Sequence, residues 1–202
     1  MLDDAGRKMH QSLFTPLVER AVRIAADGHR RQLRKGSDIP YLAHPAAVAL
    51  ILARAGFHDD DVLAAAFLHD VVEDTEYTIE QLAAEFPPEV VEIVAALSER
   101  KTDESGAKRP WTDRKRDHLA VIRGASLEAK AVALADKLHN LGTMQMDYRE
   151  QGETFWTRFN ATRSEIVWYH TEMIEAAAAD DDRIARLQSA CREILDELRE
   201  LR

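Results

Sequence analysis

A histidine and an aspartate stand side by side at His69-Asp70, inside the otherwise apolar run FLHDVV. Burying two adjacent ionisable groups is costly unless something compensates them. A divalent cation is one compensation, because it favours the neutral imidazole and the ionised carboxylate together. Taken alone, the dipeptide reads first as a capped or paired surface feature. Three further features add to it. His44 opens a helical stretch just after PYLA, with Pro45 suited to a first helical turn. Asp136 interrupts a second apolar run, VALADKLHNL, and Glu73-Asp74 follow His69-Asp70 at i+4 on the same face. Two imidazoles and two carboxylates make a mixed nitrogen and oxygen donor set for a divalent ion, and the adjoining acidic pair could orient or deprotonate a water.

The segments that must hold these residues read almost throughout with helical period. Residues 13–28 place Leu17, Ala21, Ile24 and Ala25 on one stripe and end at Gly28. The turn-forming word KGSDIP follows, then a helix over 44–54 that stops at Gly56. Asp59 to Asp61 supply N-cap chemistry for a third helix, VLAAAFLHDVV, apolar on nearly all sides and so expected at the centre of a bundle. Short helices are expected over 78–86 and 87–98, a polar loop over 101–110, and helices over 111–123, 126–147, 153–160, 162–179 and 181–201. No stretch alternates with period two. The expected fold is an all-α helical bundle, one domain over 1–202 with a C-terminal helix at 181–201. The apolar stripe of that helix (Ile184, Leu187, Cys191, Ile194, Leu195, Leu198) should pack on the domain, a second subunit being the alternative.

With 27 Lys and Arg against 36 Asp and Glu, the formal net charge is −9. That balance argues against a grip on long nucleic acid, which takes a basic face. It leaves room for a small anion held by local clusters, HRRQLRK and KRPWTDRKR, each of which alone reads as a solvated face. A single cysteine, Cys191, excludes an internal disulfide and fits a reducing compartment. No apolar run reaches a membrane span and the first residues carry no signal-peptide stretch, so the cytoplasm is the expected location.

The order H…HD…D resembles the HD phosphohydrolase superfamily. The words HRRQLRKGSDIPYLAHP, AAAFLHDVVEDT and ALADKLHNLGTM are similar to the hydrolase domain of RelA/SpoT homologues and the small alarmone hydrolases, over roughly 20–175. The resemblance implies that His44, His69, Asp70 and Asp136 bind Mn²⁺, and that Glu73 and Asp74 activate or position the attacking water. It implies that Arg34 and Lys35 pack on a purine, that Asn140 and Thr143 contact the nucleotide, and that Arg114 and Lys115 lie near the phosphates. The implied reaction removes the 3′-pyrophosphate of ppGpp or pppGpp, giving GDP or GTP and pyrophosphate.

Two words depart from the pattern of the long enzymes. RKGSDIPY has one extra residue before the proline, and Gly142 stands where an arginine is usual. Adenosine alarmones, the 2′-phosphate of NADPH and other nucleotides of HD phosphatases are therefore alternative substrates, and a non-catalytic nucleotide-binding module is the alternative of another class. The 202 residues leave no space for synthetase, TGS or ACT modules, so synthesis is not expected. His139, three residues after Asp136, is expected behind the ligands or in the core. His10, His29, His58, His118 and His170 have no evident partner. Phe155, Phe159, Trp168 and Tyr169 are expected in the core, with Arg158 and Asn160 as candidates for a pocket rim.

Overall fold

The computed structural model describes residues 14–200. Helix α1 (Pro16–Gly28) begins at Thr15, whose hydroxyl caps it, and Pro16 occupies its first turn. Residue 13, the expected start of this segment, and His10 lie outside the described residues. Helix α2 (Ala43–Ala55) ends on Gly56, which adopts φ 98°, a left-handed conformation that glycine takes without strain. Then come α3 (Asp60–Leu68), α4 (Val71–Asp74), α5 (Ile79–Ala83) and α6 (Pro88–Leu97). Thr78 and Gln81 form a reciprocal capping box at α5, whereas Asp59 stands at the N-cap of α3 without a side-chain cap bond. Helices α7 (Trp111–Gly124) and α8 (Leu127–Gln151), a 3-10 turn (Gly152–Arg158), α9 (Arg163–Ala176) and α10 (Asp182–Glu200) complete the described residues.

The fold is all-α. Among the described residues there is no strand, only isolated bridges at Leu33–Pro40 and Thr102–Lys108. No helix among them is long and apolar enough to cross a membrane.

Helices α8 and α3 are the axis of the bundle. Ala131 to Ala135 on α8 and Ala64 to Ala66 on α3 are almost wholly buried, and these small side chains let neighbouring backbones approach closely. Around them pack α2, α6, α9 and α10 on α8, and α1, α2 and α6 on α3. The stripe on α10 packs inward on α8, with Ile184, Leu187, Cys191, Leu195 and Leu198 buried.

The structure corrects the reading at two places. The segment VLAAAFLHDVV is not one helix: it breaks at His69-Asp70, between α3 and α4. Asp70 has φ −99° and ψ −8°, in the bridge region frequented by active-site residues. On a regular helix adjacent side chains diverge by about 100°; the break lets both point at one spot. The segment expected as a helix over 153–160 is a 3-10 turn, ended by Phe159 in extended conformation.

Candidate active site

Three helices carry donor atoms to one point. The Nε2 atoms of His44 and His69 lie 3.2 Å apart. Asp136 Oδ1 is 3.1 Å from His44 Nε2 and 3.9 Å from that of His69. Asp70 Oδ2 is 3.1 Å from His69 Nε2 and 3.5 Å from His44 Nε2. His44, His69 and Asp136 are buried, and their donor atoms all fall within 4.8 Å of one another.

The hydrogen bonds behind the imidazoles decide what they offer in front. His69 Nδ1 lies 2.7 Å from the Ala66 carbonyl, which can only accept, so the proton sits on Nδ1. His44 Nδ1 lies 2.7 Å from His139 Nδ1. Burial, with His44 next, pushes His139 down to about 4, so the His139 ring is neutral and can accept from His44. Both Nε2 atoms are then left as lone pairs, facing each other and two carboxylate oxygens. With both imidazoles neutral, four acceptors converge with no proton among them, the arrangement a cation resolves. Without a cation the carboxylates draw in a proton in its place: burial opposes an imidazolium at His69, yet Asp70 and Asp136 outweigh it and push that group up to about 9. Neighbouring ligands of an octahedral ion at ~2.1 Å stand ~3.0 Å apart, so the donor set fits a divalent ion.

The two carboxylates of the cluster are held from outside. Tyr41 donates to Asp70 Oδ2 at 2.6 Å, Lys137 to Asp136 Oδ2 at 2.6 Å and Asn140 to Asp136 Oδ1 at 2.5 Å. Burial works against the Lys137 ammonium, but Asp136 outweighs it and holds the group above the ordinary lysine range. Glu73 and Asp74 line the same polar cavity of about 180 Å³ as the four donors. The Glu99 backbone N–H donates to Glu73 Oε2 at 3.2 Å, and Gln32 donates to Asp74 Oδ2 at 3.2 Å. Burial, then the charge of Glu99, raises Glu73 above the usual glutamate value, which moves a carboxylate toward use as a base near neutrality.

A second cavity of about 540 Å³ opens beside the first and shares Arg34, Tyr41, His44, Asp74 and Asn140 with it. Arg34 donates to Asn140 Oδ1 at 2.8 Å, and its guanidinium lies 5.5 Å from the Tyr41 ring centre. Lys35 Nζ lies 5.0 Å from the centre of the Phe159 ring. Phe155, Phe159 and Arg158 wall this cavity, so two aromatic residues expected only as core also face a pocket. Thr143 lines it as well, although its hydroxyl bonds the Asn140 carbonyl at 2.9 Å. Gly36 has φ 77°, a left-handed conformation that glycine takes without strain, and it lies against the guanidinium end of Arg158.

Lys115 reaches the polar cavity, with its Nζ 4.3 Å from the Tyr169 ring centre and paired with Glu99. Arg114 pairs with the other oxygen of Glu99 at 3.2 Å and lines a separate cavity of about 590 Å³ instead. His118 takes up Tyr169 at 3.0 Å, His170 bonds the Ile166 carbonyl at 2.8 Å, and His29 meets Gln32 at 2.7 Å. Tyr41, Glu99, Lys101 and Lys137 are the site residues that sequence reasoning missed. Lys137 adjoins Asp136 and Tyr41 stands three residues before His44 in the same words, the signal that could have found them.

Gly142, one turn beyond Leu138 on α8, has nothing within 4 Å of where a Cβ would stand. Glycine inside a helix costs about 0.5–1 kcal/mol relative to alanine. Gly142→Ala is therefore expected to stabilise the protein by roughly that amount in denaturant unfolding. A loss of stability would show that the position needs glycine.

Residues 21–167 match the family model described as HD domain. The guanosine-3′,5′-bis(diphosphate) 3′-pyrophosphohydrolase MESH1 of Xenopus tropicalis is 41% identical over 127 residues, covering 62% of this chain and 68% of that protein. A GTP pyrophosphokinase of Streptomyces coelicolor is 39% identical over 137 residues, but these are 67% of this chain and 16% of that enzyme, so the chain spans only a small part of such long relatives. The solved structure of a metazoan SpoT orthologue described as hydrolysing ppGpp superimposes with a TM-score of 0.75 at 28% identity, over 92% of this chain and 97% of that one. A structure from Listeria monocytogenes gives 0.65 at 31% identity, over 76% and 99%. With a buried His and Asp cluster at the matching motifs and these relatives around it, the chain belongs to the HD-domain family of metal-dependent phosphohydrolases, in the branch that contains the MESH1 enzymes.

Proposed function

We propose that this protein hydrolyses guanosine alarmones of the (p)ppGpp type, removing the 3′-pyrophosphate to leave GDP or GTP. The carrying observation is the junction of two cavities: a polar one with four converging acceptors, and a larger one edged by Arg34, Lys35 and aromatic rings. His44, His69, Asp70 and Asp136 would hold a divalent ion, Mn²⁺ on this reading. When bound, the ion supplies Lewis acidity at the phosphoryl group and lowers the cost of generating the nucleophile.

The rest falls to the chain. Glu73 and Asp74 orient a water and take its proton. Arg34 and Lys35 offer flat and charged faces to the purine, and Asn140 ties Arg34 to Asp136, linking base binding to the ligand cluster. Thr143 lies on the nucleotide wall. Lys115 brings positive charge to the phosphate side, with Arg114 behind it sharing Glu99. The whole chain, 1–202, is read as one hydrolase domain acting on a small nucleotide in the cytoplasm.

The test is a screen of purified protein with Mn²⁺ against ppGpp, pppGpp, ppApp, pppApp and NADPH, with products separated by chromatography. Pyrophosphate with GDP or GTP is the expected result. Turnover confined to the adenosine compounds, or phosphate from NADPH, would move the assignment to those substrates. Nucleotide binding without turnover would point to a non-catalytic module.

A further inference from the structure

We propose that Lys101 is a positioning residue for hydrolysis: its ammonium group bridges Glu73 and Asp74 and fixes both carboxylates toward the polar cavity. The inference rests on the reading that this acidic pair acts on the attacking water.

Helix α4 is a single turn of four residues, too short to hold its own geometry. It carries two adjacent carboxylates, and Glu99 and Asp70 add further negative charge around Glu73. Mutual repulsion would spread these side chains unless a cation sits between them. Lys101 Nζ lies 2.7 Å from Asp74 Oδ1, 3.3 Å from Glu73 Oε1 and 2.9 Å from the Glu73 carbonyl oxygen. An ammonium has three donors, and here it meets three acceptors on two consecutive residues. The same contact satisfies a carbonyl that the short helix leaves unpaired.

Lys101 is itself fixed. Its carbonyl accepts from the Arg109 N–H at 3.0 Å, and Asp103 N–H donates to the Ala107 carbonyl at 2.9 Å across the same turn. Asp103 Oδ1 gathers Ser105 and Ala107 N–H groups inside that turn, and Arg109 pairs with Asp117 on α7. Lys101 lines neither the polar cavity nor the larger one, so it works from behind the carboxylates without touching the nucleotide. Its side chain is 45% exposed, and ion pairs so exposed add little to folding. The effect of losing it should therefore appear in rate and not in stability.

Lys101→Met and Lys101→Arg would be compared with the unaltered protein by Mn²⁺-supplemented pyrophosphate release from ppGpp, with denaturant unfolding alongside. Lys101→Met is expected to lower kcat roughly 10–100-fold, the usual scale for a residue that orients a catalytic group, with KM within about twofold. Its unfolding midpoint should stay in place, and Lys101→Arg should recover most of kcat. Unchanged kcat in Lys101→Met would overturn the proposal, as would a rise in KM with kcat kept, which would mean direct substrate contact. Glu73→Gln and Asp74→Asn separate the two ideas. If both stay fully active, the reading of the acidic pair fails; if they lose activity while Lys101→Met does not, only the role of Lys101 fails.

Discussion

Asp70→Ala protein is expected to fold normally and to lose ~10³-fold or more of its Mn²⁺-supported turnover, since even residues that only orient ligands cost 10–100-fold. Asp70 Oδ2 stands 3.1 Å and 3.5 Å from the two Nε2 atoms and accepts from Tyr41. Removing it halves the carboxylate charge of the donor set, so binding of a divalent ion and the chemistry it supports fall together. Burial opposes the Asp70 carboxylate, but His69 and then His44 outweigh it and hold the group well below its ordinary value, so it is ionised at neutral pH. Asp70→Asn, which keeps the shape and the Tyr41 contact, should be nearly as poor, because the charge is what is lost. Metal content by emission spectroscopy and product release by chromatography read the two effects separately. Full activity in the alanine variant would remove Asp70 from the reaction. Asp136→Ala is the weaker test: it strands the buried Lys137 without its counter-charge, a fault worth about 3–5 kcal/mol, so lost activity there would mix with lost fold.

A second large effect is expected at Glu99, and it depends on pH. Its side chain is almost wholly enclosed among Arg114, Lys115 and His118. Burial alone would raise its pKa, but the hydrogen bond with His118 and the Lys115 ammonium overcome that and bring it from the ordinary 4.5 to about 2. A carboxylate depressed in the folded state contributes stability that is complete above its unfolded value and is lost as pH falls through the folded one. The contribution is thus full above pH ~4.5 and declines toward pH 2, and its size is on the order of 3 kcal/mol. Glu99→Gln should be less stable than the unaltered protein by about that amount at pH 7, with less than half the gap at pH 3. Unfolding curves in urea at the two pH values give the comparison. An equal gap at both would mean that packing, and not charge, sets the role of Glu99.

The buried His and Asp cluster of the candidate site was legible because ionisable residues are conspicuous in apolar helices. His69, Asp70 and Asp136 interrupt runs that composition and period mark as buried, and such groups need a partner that the run itself lacks. Helical period likewise revealed α1, α2, α7, α8 and α10 to within a few residues, because one-sided burial writes itself into the spacing of Leu, Ile and Ala.

The tertiary structure alone decided the rest. The break at His69-Asp70 has no signature in hydrophobic pattern, since both sides of it are apolar; it is imposed by two side chains that must meet His44 and Asp136 from other helices. Lys101 and Glu99 lie at the start of a polar loop and read as solvated charge. They become part of the site only because folding carries them against Glu73, across 28 and 26 residues of chain. His139 is expected behind the ligands or in the core, and only the structure places it behind His44, Nδ1 to Nδ1 at 2.7 Å. Residue type and period determine which groups are buried and which chemistry they can do. Which of them touch is set by long-range packing, and a contact between residues far apart in the chain leaves no local mark in either.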